Sequence, residues 1–241
     1  MALTALLGGA VMAEKNGRTP RTLALHGWRR TRADWAPVLQ GVPSLAADLP
    51  GFGASPPPPV AWSSHDYAAQ LAPLLEGGGW TVLGHSFGGR VALQLAAGWP
   101  GAVDHLVLTG VPQLIRGESA GRSPLAFRMA KKAHSLGLLS DERMEAERRK
   151  RGSDDYRNAE GVMRDVLVKL VNEDYRELLP QVKSRVTMVW GAHDTAAPLA
   201  MAREAAALFD DAALVVSESS GHLLDDALLR LLREAVSGTT A

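Results

Sequence analysis

Ser86 carries the strongest chemical signal in the 241-residue chain, because it sits in Gly84-His85-Ser86-Phe87-Gly88, a G-x-S-x-G pattern. Alone, five residues of such common types mean little. Their context adds more: the apolar run Thr81-Val82-Leu83 leads into Gly84, and helical spacing through Val91, Ala92 and Leu95 follows Gly89-Arg90. A strand, a sharp turn and a helix in that order make a nucleophile elbow, in which small residues relieve crowding and the serine hydroxyl stands above the sheet edge. The helix N-terminus behind it favours developing negative charge.

A serine hydroxyl is a poor nucleophile at neutral pH, so it needs a histidine to accept its proton and an acid to orient that histidine. Where the nucleophile sits on a strand-to-helix elbow, the chain order is serine, acid, histidine. Asp194 follows an apolar run in Trp190-Gly191-Ala192-His193-Asp194, and His222 follows the last such run in Ser219-Ser220-Gly221-His222. Both positions fall at carboxyl ends of expected strands, where α/β sheets place their ligands. Asp225 and Asp226 compete with Asp194 by nearness to His222, but they open the closing helix, where acidic residues cap N–H groups and complement the dipole. His26, His85 and His193 read as supports for loop backbone, and Asp48 as the organiser of its own turn. His65, His105 and His134 read as structural.

Positioning these residues takes a sheet. Short apolar runs at Thr22–Leu25, Leu45–Leu49, Thr81–Gly84, Asp104–Leu108, Val186–Trp190 and Leu214–Val216 predict strands, and Val91–Ala97, Leu199–Phe209 and Ala227–Val236 have helical spacing. Thr4–Leu7 and Ala10–Glu14 predict a hairpin turning at Gly8-Gly9. Strands alternating with helices imply crossover connections, hence an α/β fold with a mostly parallel twisted sheet and helices on both faces.

The rhythm breaks between Pro112 and Pro180, where no strand is evident and 26 of the chain's 52 charged residues fall. That density predicts a helical insertion with much exposed surface, residues 112–180, set into a core made of residues 1–111 and 181–241. The run Glu147-Arg148-Arg149-Lys150-Arg151 reads as a solvated helix face. Pro56–Pro59 reads as a stiff, extended loop.

In this arrangement the sequence resembles the α/β-hydrolase family, specifically serine-nucleophile members with a small helical cap. Leu25-His26-Gly27-Trp28, Asp48-Leu49-Pro50-Gly51-Phe52-Gly53, the Ser86 elbow, the Asp194 turn with Pro198 behind it, and Gly221-His222 occur in the family's order. The resemblance implies Ser86 as nucleophile, His222 as base and Asp194 as orienting acid. It also implies an oxyanion hole from the backbone N–H groups of Trp28 and Phe87, donors that can each contribute roughly 3 kcal/mol to the transition state. Relatives that use an aspartate nucleophile, such as haloalkane dehalogenases and epoxide hydrolases, are excluded by the serine at position 86.

Composition narrows the partners. The chain has 46% hydrophobic residues and equal numbers, 26 each, of basic and acidic side chains, so it has a sizeable core and no net charge to attract nucleic acid. The absence of cysteine excludes thiol chemistry and fits a reducing, cytoplasmic compartment. Met1–Ala13 is apolar but lacks the basic start of a signal peptide, and no run reaches the ~18 apolar residues of a membrane span. No metal-ligand spacing appears, so no cofactor or metal is expected.

The expected substrate is a small molecule: a carboxylic ester, thioester or lactone of small to medium acyl size, held in an apolar pocket. Trp28, Phe87, Val111, Leu114 and Phe127 are candidates for its lining. Arg90 is a further candidate, since an arginine similarly placed holds an anionic substrate in a lyase of menaquinone biosynthesis on this fold; otherwise it reads as a helix-surface residue forming ion pairs. Carbon–carbon bond hydrolases, perhydrolases and small-molecule receptors on the same scaffold stay open as alternatives.

Overall fold

Eight strands form one sheet: β1 (Ala2–Leu6), β2 (Val11–Asn16), β3 (Thr22–Leu25), β4 (Ser44–Asp48), β5 (Trp80–His85), β6 (Val103–Thr109), β7 (Arg185–Gly191) and β8 (Ala212–Ser217). Their order across the sheet is β1-β2-β4-β3-β5-β6-β7-β8. β2 is antiparallel to both β1 and β4, and every other pairing is parallel, which bears out the α/β expectation. The computed structural model describes residues 2–112, 114, 140, 143 and 154–238.

Side chains alternate along the central strands between two buried faces, as the two-residue period of a strand requires. Leu23, Leu25, Val82, Leu106, Leu108, Met188 and Trp190 point into one core, while Ala24, Leu83, Val107 and Val189 point into the other. The first face is covered by α2 (Ser64–Leu71), α3 (Phe87–Gly98) and, further along, α6 (Leu199–Ala206). The second is covered by α1 (Ala36–Leu39) and α7 (Asp226–Ser237), through Val38, Leu39, Leu228 and Leu232. Burial on both faces is why these strands read as continuous apolar runs rather than alternating ones.

The N-terminal hairpin pairs Leu6 with Val11, so its connection is Leu7–Ala10, with Leu7, Gly8 and Gly9 all at positive φ. The helix expected over Leu199–Phe209 ends at Ala206, and Phe209 is buried beyond its end. α2 was not evident from apolar spacing. Its start is fixed by a capping box, in which the Ser63 hydroxyl accepts from the Asp66 N–H and the Asp66 carboxylate accepts from the Ser63 N–H.

Within 112–180 the described residues contain no strand. They include α4 (Asp154–Asn158) and α5 (Gly161–Leu170), followed by a stretch ending in a short 3-10 turn at Leu179–Gln181. This part is tied to the core. Val166 and Leu170 of α5 and Tyr175 join the first core, the Ser64 N–H donates to Glu173, and the Tyr175 hydroxyl contacts both Ser64 and Glu173. Phe127, His134 and the Glu147–Arg151 run lie outside the described residues.

Candidate active site

The parallel register brings the carboxyl ends of the strands to one edge: Leu25 pairs with Gly84, His85 with Thr109, and Gly191 with Ser217. Ser86 stands immediately beyond β5, at φ 51 and ψ −114, and its N–H donates to the Thr109 carbonyl at 3.0 Å. A non-glycine residue in so sparsely populated a conformation is strained, and only its surroundings keep it there. The flanking glycines are required by crowding. A Cβ on Gly84 would meet the Gly88 carbonyl oxygen at 2.6 Å, and one on Gly88 would meet the His26 carbonyl oxygen at 2.6 Å.

The Ser86 hydroxyl lies 3.2 Å from Nε2 of His222, whose Nδ1 lies 2.9 Å from Oδ2 of Asp194. A carboxylate only accepts, so Nδ1 carries the proton and donates, which leaves Nε2 to accept from the serine. Asp194 is buried, and its other oxygen accepts from the N–H groups of Ala196 at 2.9 Å and Ala197 at 2.7 Å. Those bonds fix the carboxylate from behind. Asp225 is engaged elsewhere: it caps α7 through the Leu228 N–H and accepts from the Ser220 hydroxyl.

The loop after β3 presses on the elbow, since the Gly88 N–H donates to the His26 carbonyl and a Cβ on Gly27 would lie 3.4 Å from Cβ of Ser86. Among the described residues, no acceptor takes the N–H of Trp28 or of Phe87. Trp28, Phe52 and Phe87 form an aromatic cluster with ring centroids 4.9 to 5.9 Å apart.

A cavity of about 200 Å³ opens over Ser86, lined by Trp28, Phe87, Arg90, Pro112, Asp155, by Leu167 and Leu170 of α5 and by Val171 just beyond it. Val111 and Leu114 are fully buried in the core, and Val111 presses on Gly89 beneath the elbow, so Pro112 represents that stretch at the cavity wall. Leu167, Leu170 and Val171 fall at i, i+3 and i+4, a spacing visible in the sequence as one helix face. Arg90 is not a helix-surface residue. It is 6% exposed and donates to the Leu170 carbonyl at 2.6 Å, because the C-terminal end of α5 reaches Arg90 on α3.

The other histidines have defined partners. His26, whose pKa is lowered by burial, uses Nδ1 toward the Gly27 carbonyl and accepts the Leu49 N–H at Nε2. Asp48 accepts from the N–H groups of Arg32 and Ala54 and pairs with the Arg32 guanidinium, organising its turn. The His193 side chain is exposed, while its N–H donates to the Ser220 carbonyl. His105 is buried between Thr187 and Arg185, and His65 stacks on Trp99. Among the described residues there is no group of three or more His, Cys, Asp or Glu that could hold a metal ion. Nor is any described helix long and apolar enough to cross a membrane.

A mostly parallel eight-stranded sheet, with a serine on a strained strand-to-helix turn at its carboxyl edge, defines an α/β-hydrolase fold. The chain belongs to the alpha/beta hydrolase family, whose model matches residues 23–232. Among curated proteins it is 39% identical to Esterase Rv0045c of Mycobacterium tuberculosis over 115 residues, 43% of this chain and 37% of that protein. It is 26% identical to a pimeloyl-[acyl-carrier protein] methyl ester esterase of Neisseria meningitidis serogroup B over 232 residues, 82% of this chain and 84% of the relative. Among solved structures, the esterase EaEST from Exiguobacterium antarcticum superposes with a TM-score of 0.72 at 18% identity, covering 99% of both chains.

Proposed function

We propose that this chain hydrolyses carboxylic esters, thioesters or lactones of small to medium acyl size through an acyl-enzyme on Ser86. The observation that carries the reading is the hydrogen-bonded series Ser86, His222, Asp194, whose serine lines the cavity. In this mechanism His222 Nε2 takes the proton as Ser86 Oγ adds to the carbonyl carbon, and Asp194 stabilises the imidazolium. The oxyanion that forms is received by the N–H groups of Trp28 and Phe87, whose lack of other acceptors supports that role. Collapse expels the alcohol with the proton from His222; water, activated by the same ring, then releases the acid. No cofactor enters these steps.

Residues 112–180 act in this reading as a cap, with Leu167, Leu170 and Val171 as the apolar ceiling over the substrate. The esterase names of the two curated relatives support ester chemistry, and the cysteine-free composition supports a cytoplasmic setting. The test is a panel of nitrophenyl esters of increasing acyl length, together with a fluorophosphonate probe. Turnover on short esters is expected, with labelling that disappears in Ser86→Ala. Labelling of Ser86→Ala as strong as that of the parent would overturn the assignment of the nucleophile, and flat inactivity across the panel would overturn ester hydrolysis.

A further inference from the structure

His85 joins three of the loops that meet at the site. It directly precedes Ser86 in the chain, and its Nε2 lies 2.9 Å from the backbone carbonyl oxygen of His222. On its other side, a Cβ on Gly27 would lie 2.9 Å from Nδ1 and 3.2 Å from Cε1, so the ring fills the space against the loop that carries the Trp28 N–H. Its ring centroid is 5.1 Å from that of His222, and the residue is 2% exposed.

The bond from His85 is the only hydrogen bond made by the main chain of His222 among the described residues. The loop holding His222 is otherwise anchored two residues away, where the Ser220 carbonyl accepts from the His193 N–H and Ser220 bonds Ser217. A carbonyl oxygen can only accept, so His85 carries its proton on Nε2 and donates. Nδ1 is then an acceptor, and it finds no donor among the described residues. Burial keeps the ring neutral, lowering its pKa to about 4, and a neutral ring is what this tautomer needs.

From this geometry we propose that His85 is a positioning residue for the reaction: its Nε2–H holds the His222 carbonyl so that the His222 imidazole stays within reach of Ser86. The inference rests on the reading of Ser86 as nucleophile and His222 as base. The contact at stake is the 3.2 Å approach of Ser86 Oγ to His222 Nε2. Misplacement of a catalytic group by about 1 Å can cost on the order of a hundredfold in rate.

The experiment compares the parent with His85→Leu, which keeps bulk and loses the donor, and His85→Gln, whose amide N–H reaches toward the same carbonyl. Nitrophenyl acetate kinetics, fluorophosphonate labelling rates and urea midpoints are measured for each. His85→Leu is expected to lose about tenfold to a hundredfold in kcat with KM within about twofold, and to label more slowly in proportion. His85→Gln is expected to recover most of kcat. A His85→Leu protein with parental kcat and labelling overturns the proposal, as does a loss carried entirely by KM, or a folded His85→Gln that falls as far as His85→Leu. If His85→Leu does not fold, His85→Gln decides: kcat within about threefold of the parent supports the positioning bond, and a larger loss in a protein of parental stability overturns it. A parent that neither turns over esters nor labels at Ser86 removes the nucleophile reading and this inference with it. A parent that does both, beside an unimpaired His85→Leu, overturns this inference alone.

Discussion

Gly110 lies directly against His222: a Cβ placed on it would sit 3.2 Å from Nδ1 of the imidazole and 3.2 Å from Oδ2 of Asp194. The residue also has φ +56, a left-handed conformation that costs a side-chain-bearing residue roughly 1–2 kcal/mol. Gly110→Ala should therefore lower stability by about that amount, read as a urea midpoint. Crowding of the imidazole should lower kcat on a short nitrophenyl ester beyond what the stability loss explains, with KM little changed. Parental kcat in this variant would mean that the loop yields without moving the ring.

Asp194 divides its oxygens between two tasks, Oδ2 toward His222 and Oδ1 toward the N–H groups of Ala196 and Ala197. Asp194→Asn can keep the turn, because an amide oxygen still accepts. Its NH₂ would then face Nδ1 of His222 and favour the tautomer that cannot take the serine proton. The expected result is a fall in kcat of about three to four orders of magnitude with a near-parental urea midpoint. A fall of less than about tenfold would remove Asp194 from the orienting role.

Candidate residues marked by their type were legible in the sequence, and contacts between distant segments were not. Ser86, Asp194 and His222 each follow an apolar run by a few residues, and each role admits few side chains, so order and type sufficed to nominate them. Gly110 gave no such signal, because its need for a missing side chain arises only when the Asp194 and His222 loops close on it. The helix-surface reading of Arg90 fails for a related reason, while its place among the cavity-lining candidates agrees with the structure. Its charge suggests solvent, yet its burial is decided by the chain around Leu170 folding over α3. The sheet was clear because strands buried on both faces are apolar at nearly every position. α2, by contrast, announced itself only through Ser63 and Asp66 at its start.

Acid should weaken the fold through buried neutral histidines. His85 and His105 have pKa values lowered to about 4, in each case chiefly by burial, against 6.5 in the unfolded chain. Between those values the unfolded chain binds more protons than the folded one, so stability is fully present above pH 6.5 and is lost as pH falls toward 4. For His85, 2% exposed, the gap corresponds to on the order of 3 kcal/mol. Urea midpoints at pH 7.5 and pH 5 should differ accordingly. His105→Gln, remote from Ser86 and able to keep a bond to Thr187, should flatten the dependence. Equal pH dependence in parent and variant would show that His105 does not contribute.

Trp28 lines two cavities. Its side chain lines the space of about 200 Å³ over Ser86 and also a second space of about 300 Å³, lined by Gly51, Phe52, Ala159 and Met163 with Arg29, Asn158 and Glu160. Ser86 lines the first cavity and not the second, so an acyl chain carried on Ser86 is expected to stay in the first while the indole stands between them. Trp28→Leu keeps the backbone N–H while shortening the side chain that borders both spaces. Each methylene that enters newly opened apolar space adds roughly 0.8 kcal/mol. The parent should therefore favour acetyl and butyryl over decanoyl nitrophenyl esters. Trp28→Leu should raise the decanoyl-to-acetyl ratio of kcat/KM by about tenfold or more, with the acetyl kcat largely retained. An unchanged ratio with retained acetyl activity would show that the wall is not the indole. Loss of acetyl activity together with a lowered urea midpoint would instead place the role of Trp28 in its edge-to-face packing against Phe52 and Phe87.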